Sequence, residues 1–400
     1  SVWPMDRRWG CGLMLGALLL ATACSSEEPP QAGPSVPSVA QSQPPSASPA
    51  PSASAPVERS CEEQLVGRMT PEQRAGQLLM IGTEVDDPGG LRDEIRQFHL
   101  GGVFLHGRST RPAAALKKDI ADLQAAAQQP LLVALDQEGG SVQTLKGADF
   151  PRIPSAERLG AGPVAQLRAV NRDSARRLRG IGVNINLAPV ADTVPKSLGE
   201  DNPPIGSFHR QYGDDPAEVA ADIEQVVAAS QGEQVLTVIK HFPGLGRTRF
   251  NTDTSTKAVD NTATVTDPFL RPFAAGIKAG SASVMLSSAS YPKLDPSTIA
   301  AFSKPIITGL LRERMGFDGM VMSDDLGAAK AAETISPGQR AVRFVAAGGD
   351  MPLSIVPEHA EPMAKSLSEQ AAKDPGFATR VTEAARHVVR AKIRAGVGRC

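Results

Sequence analysis

The sequence predicts an α/β fold, a single (β/α)8 TIM barrel in which parallel strands alternate with helices. Short apolar runs alternate about eight times with amphipathic stretches of helical period, which indicates a parallel sheet. The apolar runs are rich in β-branched residues and carry few polar ones, as strands buried on both faces do. No segment after residue 61 has the composition of an interdomain linker, so the repeats fit one barrel better than a doubly wound sheet.

Local signals predict where each element begins and ends. Thr70 precedes Pro71 and Glu72, so a helix begins here with a capping threonine, a proline in its first position and an acid in its first turn. The apolar runs predict strands at residues 78–82, 102–105, 131–135, 183–187, 235–239, 283–286, 319–322 and 351–355. The amphipathic stretches predict helices at residues 91–98, 113–127, 165–178, 217–229, 269–279, 299–314, 339–347 and 379–395.

The N-terminus has the pattern of an export signal. Residues 5–8 form a short basic region, and residues 12–23 form an apolar run that is too short to span a bilayer. Small residues precede Cys24, which resembles the lipobox of bacterial lipoproteins, where this cysteine is acylated after cleavage. We therefore predict a signal peptide at residues 1–24 and a lipid on Cys24. Ordinary secretion with an incidental cysteine is the alternative.

The segment after Cys24 predicts a tether. Residues 25–57 are mostly Pro, Ser, Ala and Gln with almost no large apolar side chain, so they cannot bury enough surface to fold. We expect the folded domain at residues 58–400. We also expect a monomer that a lipid holds on the outer face of the bacterial cytoplasmic membrane.

Two of the four cysteines are left after the signal and the lipid are assigned. Cys61 opens the folded region and Cys400 is the last residue of the sequence. In an exported protein such a pair predicts a disulfide that joins the two ends, which a closed barrel would bring together. Two free thiols are the alternative.

Charge and motif content exclude several classes of function. The chain has 42 Lys and Arg against 43 Asp and Glu, and this balance argues against a nucleic-acid partner. No His and Cys cluster has the spacing of a metal site, and no glycine-rich loop opens a helix as a phosphate-binding loop does. We expect neither a metal nor a cofactor.

Polar side chains follow several of the predicted strands. The carboxyl ends of barrel strands meet at one face, so these side chains are expected to converge on one pocket. Each acid taken alone could instead cap a helix. Carboxylates without a metal point to acid/base or nucleophilic chemistry on an uncharged polar substrate, with glycoside hydrolysis as the leading example. The strand-end residues are Asp136, Glu138, Asp192, Lys240, His241, Asp324 and Asp325.

Three motifs carry a resemblance to a known family. Lys-His-Phe-Pro-Gly at 240–244, Asp-Gln-Glu-Gly-Gly at 136–140 and Val-Met-Ser-Asp-Asp-Leu at 321–326 together resemble glycoside hydrolase family 3. The chain is most similar to the single-domain β-N-acetylhexosaminidases that trim cell-wall muropeptides, over about residues 65–395. The resemblance implies a retaining exo-β-N-acetylglucosaminidase that removes terminal N-acetylglucosamine from peptidoglycan-derived glycans through a covalent glycosyl-enzyme.

The resemblance also implies roles for individual residues. The family's nucleophile is the aspartate directly after serine, which here is Asp324. Asp136 matches an acid that holds sugar hydroxyls, and Lys240 and His241 match a pair that binds the same ring. Arg210 opens a segment similar to the family's Arg-Ser-Phe-Gly-x-Asp-Pro, which makes it an expected substrate contact.

The proton donor is where the sequence departs from the family. The hexosaminidase subgroup has Asp-x-His, whose histidine is the general acid/base, whereas this chain has Asn251-Thr252-Asp253. Asp253 can transfer the proton if burial or Asp324 raises its pKa, although Asn-Thr-Asp-Thr is also ordinary turn chemistry. Thr144 stands where the subgroup has a sugar-binding Arg. This difference weakens the expectation that the site prefers a sugar with an N-acetyl group.

Two alternatives to the hexosaminidase stay open. One is an enzyme of the same fold with another preference, such as a β-glucosidase or a glycosyl phosphorylase. The other is a non-catalytic sugar-binding lipoprotein that binds the ring but cannot transfer the proton. The missing Asp-x-His favours the second alternative, and turnover of an activated aryl glycoside would exclude it.

Overall fold

The computed structural model describes residues 59–400. The predicted signal peptide, the lipidation site Cys24 and the predicted tether lie outside these residues, so their assignments stay predictions. Within residues 59–400 no helix combines the length and the apolar character that crossing a bilayer requires.

Eight parallel strands form a closed barrel, which confirms the predicted fold class. Each strand pairs with its neighbours in the sequence, and the last strand pairs with the first to close the sheet. Met80, for example, lies opposite both Gly102 and Leu353. The strands are β1 (Met80–Glu84), β2 (Gly102–His106), β3 (Leu132–Leu135), β4 (Ile185–Asn186), β5 (Leu236–Phe242), β6 (Ser283–Leu286), β7 (Met320–Asp325) and β8 (Met351–Ser354).

Helices surround this sheet and begin at recognisable caps. Thr70 accepts a hydrogen bond from the Gln73 amide, and Asp215 caps the helix whose first residue is Pro216. The helices are α1 (Cys61–Gly67), α2 (Pro71–Gln77), α3 (Arg92–Phe98), α4 (Ala113–Ala126), α5 (Ala156–Gly160), α6 (Val164–Ile181), α7 (Pro216–Gln231), α8 (Arg271–Lys278), α9 (Pro337–Ala346), α10 (Ala360–Lys373) and α11 (Pro375–Arg394).

The core has two layers because each strand is buried on both faces. One cluster fills the space between the outside of the sheet and the helices, and it includes Ile81, Val133 and Phe273. A smaller cluster fills the inside of the barrel, with Met322 among its buried residues and Val388 contributed by α11. This packing fixes the strand ends, which carry the polar side chains, in a rigid ring.

The predicted helix at residues 299–314 is wrong over its first part. The chain instead forms a strand at Asp295–Ile299, a 3₁₀ turn at Ala300–Phe302 and a π-helix at Pro305–Arg314. Pro305 explains the break, because proline has no amide hydrogen and is tolerated only in the first turn of a helix.

The two ends of the described chain are joined. Cys61 at the start of α1 and Cys400 form a disulfide, with their Cα atoms 5.5 Å apart. Ion pairs run beside it from α1 to α11, where Glu62 contacts Arg390 at 3.2 Å and Glu63 lies 3.7 Å from Arg386.

Candidate active site

A cavity of about 220 Å³ opens at the carboxyl ends of the barrel strands. Its walls come from the ends of strands β2 to β8 and from the loops that follow them. All six residues predicted to bind or act on the substrate line this cavity, namely Asp136, Arg210, Lys240, His241, Asp253 and Asp324. The residues that the three sequence motifs contribute are therefore neighbours in space, although they lie far apart in the chain.

One wall of the cavity is a network of buried charges. The Lys240 Nζ atom lies 2.7 Å from both Asp136 Oδ1 and Glu138 Oε1, and its side chain is 3% exposed. Arg210 donates two parallel hydrogen bonds to Glu138, at 2.9 Å from Nε and 2.7 Å from Nη2. Such a bidentate pair fixes both groups in orientation as well as in position.

The charges in this network stabilise one another. Burial alone would raise the pKa of Glu138, but the positive charges of Arg210 and Lys240 outweigh burial and hold that pKa well below its ordinary value. Burial would lower the pKa of Lys240, yet Asp136 and Glu138 raise it above its ordinary value. Lys240 therefore stays an ammonium that presents a charge and donors to the cavity.

His241 is held by an aspartate behind it. The Nδ1 atom of His241 lies 2.7 Å from Asp192 Oδ2, and Asp192 is fully buried. The other oxygen of Asp192 accepts the Leu245 amide at 2.8 Å, so one carboxylate positions both the imidazole and the start of the next loop. The Nδ1 contact leaves Nε2 of His241 as the ring atom available to a ligand.

Asp324 and Asp325 end strand β7 and have different surroundings. The Oδ1 atom of Asp325 accepts hydrogen bonds from the amides of Gly327, at 2.8 Å, and Ile355, at 3.1 Å. Asp325 thus ties the end of β7 to the chain that follows β8. Among residues 59–400 Asp324 accepts a hydrogen bond only from the Asp325 amide, at 2.9 Å, and the rest of its carboxylate is left for a ligand in the cavity.

Asp253 reaches the cavity from the loop after β5. Its amide donates to Asn251 Oδ1 at 2.9 Å, a turn contact, and the carbonyl of the buried Thr252 accepts the Lys330 amide at 3.0 Å. The Asp253 side chain keeps access to solvent. Even so, burial among the cavity groups, and next the negative charges of Asp324 and Asp325, raise the pKa of Asp253 to about 6.

Thr144 does not take part in the cavity surface. It is buried, and its hydroxyl donates to the Asp136 carbonyl at 2.9 Å, so it supports the motif residue without facing a ligand. Within residues 59–400 no group of three or more His, Cys, Asp or Glu residues has the arrangement of a metal site.

Comparison with known proteins places the chain in a family. The sequence profile of the glycosyl hydrolase family 3 N terminal domain matches residues 70–391. The chain belongs to glycoside hydrolase family 3. The fold and the family thus agree with the resemblance seen in the motifs, and the protein is a glycoside hydrolase.

Relatives and solved structures in this family are similar over most of the chain. The chain is 32% identical over 320 residues to the Beta-hexosaminidase LpqI of Mycobacterium tuberculosis. This alignment covers 77% of this chain and 79% of the relative. It is 33% identical over 288 residues to a Beta-hexosaminidase of Xanthomonas oryzae, covering 67% of this chain and 80% of that one.

Two solved structures extend the comparison. The β-N-acetylhexosaminidase of Beutenbergia cavernae superposes with a TM-score of 0.79 at 44% identity, over 81% of this chain and 98% of the other. A family 3 β-N-acetylglucosaminidase from Paenibacillus superposes with a TM-score of 0.74 at 29% identity, over 82% of this chain and 63% of the other.

Two residues that support the site were not assigned a role from the sequence. Glu138 and Asp192 both follow strands, but their partners Arg210 and His241 lie 72 and 49 residues away in the chain. The signal that could have identified both residues is an acid that closely follows a buried strand. This signal marks the position of the acid but does not show which residue it contacts.

Proposed function

We propose that this glycoside hydrolase is a retaining exo-β-N-acetylglucosaminidase that forms a covalent intermediate on Asp324. The observation that carries the proposal is a single small cavity that presents Asp324 beside a second carboxyl, Asp253, whose pKa is raised to about 6. Its volume of about 220 Å³ is below the roughly 300–1,000 Å³ of most small-molecule sites. One terminal sugar ring suits such a cavity better than the middle of a chain.

In the first step the ionised Asp324 attacks the anomeric carbon as the bond to the leaving oxygen breaks. Protonated Asp253 gives its proton to that oxygen, so the aglycone leaves as a neutral alcohol. In the second step Asp253, now a carboxylate, takes a proton from water, and the water oxygen attacks the anomeric carbon. The sugar is released and Asp324 is again a free carboxylate.

The buried charge network holds the sugar during both steps. Asp136 accepts hydrogen bonds from ring hydroxyls, while Lys240 donates and is kept in place by Glu138. Arg210, which Glu138 holds in a bidentate pair, and Nε2 of His241 complete the polar wall. Because these groups are oriented before the substrate arrives, little ordering is left for the binding step.

The sugar preference is inferred from the relatives. Proteins named Beta-hexosaminidase and β-N-acetylglucosaminidase are similar to this chain over most of its length, which favours an N-acetylglucosaminide as the substrate. Together with the lipobox-like Cys24 and the tether at residues 25–57, this supports action on peptidoglycan-derived glycans by a monomer anchored outside the cytoplasmic membrane.

The proposal is tested by the turnover of three glycosides, namely an aryl β-N-acetylglucosaminide, the matching β-glucoside and a dinitrophenyl glycoside. The first two are assayed with and without phosphate. We expect hydrolysis of an aryl β-N-acetylglucosaminide to exceed that of the matching β-glucoside, with no dependence on phosphate. A preference for the glucoside, or a glycosyl phosphate product when phosphate is present, would identify a glucosidase or a phosphorylase instead. Binding of N-acetylglucosamine without turnover of a dinitrophenyl glycoside would identify a sugar-binding protein.

A further inference from the structure

A second cavity, of about 490 Å³, lies at the amino-terminal ends of the barrel strands, the opposite end from the active site. Gln77, just before β1, and Pro130, just before β3, form part of its wall. Helix α1, the end of α4, the last turns of α11 and the tail after α11 form the rest. None of its lining residues lines the catalytic cavity, and the proposed mechanism makes no use of it.

A buried lysine forms part of this wall. Lys392 lies in the last turn of α11 and is 2% exposed. Its Nζ atom donates to the side-chain oxygen of Gln77, which is buried and lines the same cavity. The Nε2 atom of Gln77 donates in turn to the His99 carbonyl at 2.8 Å, which fixes the orientation of the amide. The Lys392 ammonium therefore lies at the cavity wall and contacts one uncharged acceptor.

No carboxylate of residues 59–400 balances the charge of Lys392. An ammonium has three N–H donors, and Gln77 is the one acceptor that the described chain offers to them. The lining residues include a second cation, Arg399, and neither an Asp nor a Glu. Burial, with no charged neighbour contributing, lowers the pKa of Lys392 to about 7. An anion in the cavity would supply the missing counter-charge.

Lys240 in the active site shows the contrasting arrangement within the same fold. It is equally buried, but Asp136 and Glu138 both lie 2.7 Å from its Nζ atom. These two carboxylates raise the pKa of Lys240, whereas nothing in the described chain does so for Lys392. The comparison identifies Lys392 as a cation whose partner is not among residues 59–400.

The apolar part of the wall indicates what kind of anion fits. A small inorganic ion would leave this apolar surface uncovered, whereas a molecule with an acidic head and an apolar chain would bury it. The volume of the cavity lies within the roughly 300–1,000 Å³ of most small-molecule sites. The apolar lining residues are Leu65, Met69, Pro130, Val389 and Val397.

The tail after α11 is fixed in place on two sides. The amides of Val397 and Gly398 donate to the Lys392 carbonyl at 3.0 and 2.9 Å, so the tail folds back over the end of the helix. The disulfide between Cys400 and Cys61 ties the same tail to α1. The wall that carries Arg399 is therefore preformed, which leaves little ordering for a ligand to impose.

We propose that this cavity binds an amphiphilic anion, a molecule with an apolar chain and one carboxylate or phosphate group. The acidic group pairs with the Nζ atom of Lys392, and the chain packs against the apolar wall. Arg399, which is exposed, adds a second positive charge where the cavity meets solvent. The site is separate from the active site and does not depend on the proposed glycosidase function.

Calorimetry on the full chain with three eight-carbon compounds tests the site, namely octanoate, octyl phosphate and octanamide. At pH 6 we expect octanoate to bind about ten- to a hundredfold more tightly than octanamide, the size that a hydrogen bond to a charged group gives. Acetate, which lacks the chain, should bind more than about tenfold more weakly than octanoate, because it buries almost no apolar surface. Comparing octanoate with octyl phosphate identifies the preferred acidic group.

The charge of Lys392 also predicts how binding depends on pH. An anion favours the ammonium, so octanoate binding above about pH 7, where the free amine is mostly neutral, should take up a proton. The affinity for octanoate should therefore fall by up to about tenfold per pH unit above pH 7, and the affinity for octanamide should stay constant. Titrations in two buffers of different ionisation enthalpy measure the proton directly.

Lys392→Met keeps the length and the apolar stem of the side chain but removes the charge. It should bind octanoate no more tightly than octanamide. The matched control Lys365→Met changes an exposed lysine of α10 that does not line the cavity, and it should keep the wild-type preference. Arg399→Gln should weaken octanoate binding by about two- to fivefold, as the loss of one exposed charge contact does. Thermal unfolding establishes that each variant is folded.

Equal affinities of the wild type for octanoate and octanamide, or no binding of octanoate, would overturn the proposal. An octanoate preference that survives in Lys392→Met would overturn it as well. If Lys392→Met does not fold, the pH series on the wild type decides. An octanoate affinity that is constant from pH 6 to 9, with no proton uptake, would then contradict the site.

Discussion

Replacing Asp253 by alanine separates the two carboxyl roles in the proposed mechanism. The change removes the proton donor but leaves Asp324 and the charge network around Lys240 in place, because Asp253 makes no salt bridge within residues 59–400. A general acid contributes roughly 10²–10⁴-fold to a step that it assists. That contribution is needed only when the leaving group is too basic to depart as an anion.

The assay compares kcat/KM on two N-acetylglucosaminides, because kcat/KM reports the step that forms the glycosyl-enzyme. For a methyl glycoside or a disaccharide we expect a loss of roughly 10²–10⁴-fold, and for a dinitrophenyl glycoside a loss of less than about tenfold. The second step also needs Asp253 as a base, so glycosyl-enzyme should accumulate on the activated substrate. Azide, which attacks without losing a proton, should restore kcat and give a glycosyl azide.

Thr254→Ala provides a matched control, since Thr254 is the exposed neighbour of Asp253 in the same loop and does not line the cavity. It should behave as the wild type on both substrates. Equal losses of Asp253→Ala on activated and unactivated substrates, without azide rescue, would refute the assignment. Asp253 would then be a turn residue, and the proton donor would have to be sought elsewhere.

Further predictions concern pH and stability. Because protonated Asp253, with a pKa of about 6, is the acid, kcat/KM on an unactivated substrate should fall tenfold per pH unit above about pH 6, but kcat/KM on a dinitrophenyl glycoside should not. Glu138→Gln leaves Lys240 and Arg210 buried with one carboxylate fewer, so the free energy of unfolding from denaturant titration should fall by about 3 kcal/mol or more. Cys61→Ala opens a covalent loop across 339 residues and should lower the same quantity by about 2–4 kcal/mol. A reducing agent should lower the free energy of unfolding of the wild type by the same amount, and no change would contradict the disulfide.

The barrel could be predicted from the sequence because its signals are local. The sequence predicts strand β6 at its observed bounds, Ser283–Leu286, because a run of four small or apolar residues is too short for a helix and is long enough for a buried strand. Strand β5 was predicted to end at residue 239, but it continues through Lys240 and His241 to Phe242. Charged residues look like a loop in the sequence, and only long-range partners allow them to stay in a buried strand.

Site residues could be predicted where a motif marks their position in the sequence. They were missed where their role depends on a partner residue that is distant in the chain. The positions of Asp136, Lys240 and Asp324 follow from strand ends, which a barrel gathers at one face. The function of Asp192 depends on its contact with His241, which is 49 residues away in the chain. A local sequence pattern cannot show that these two residues meet. The Gln137–Gly139 hairpin strand was missed too, although Gly139 and Gly140, both at positive φ, mark its turn.

The central claim is that Asp324 is the group that bonds to the sugar, and trapping that bond tests it most directly. A 5-fluoro-N-acetylglucosaminyl fluoride forms the glycosyl-enzyme quickly and releases it slowly, so the adduct can be digested and located by mass spectrometry. We predict one sugar per chain, bonded to Asp324, and no adduct in Asp324→Asn. A label on Asp325, Asp253 or Asp136, or rapid turnover by Asp324→Asn, would contradict the account.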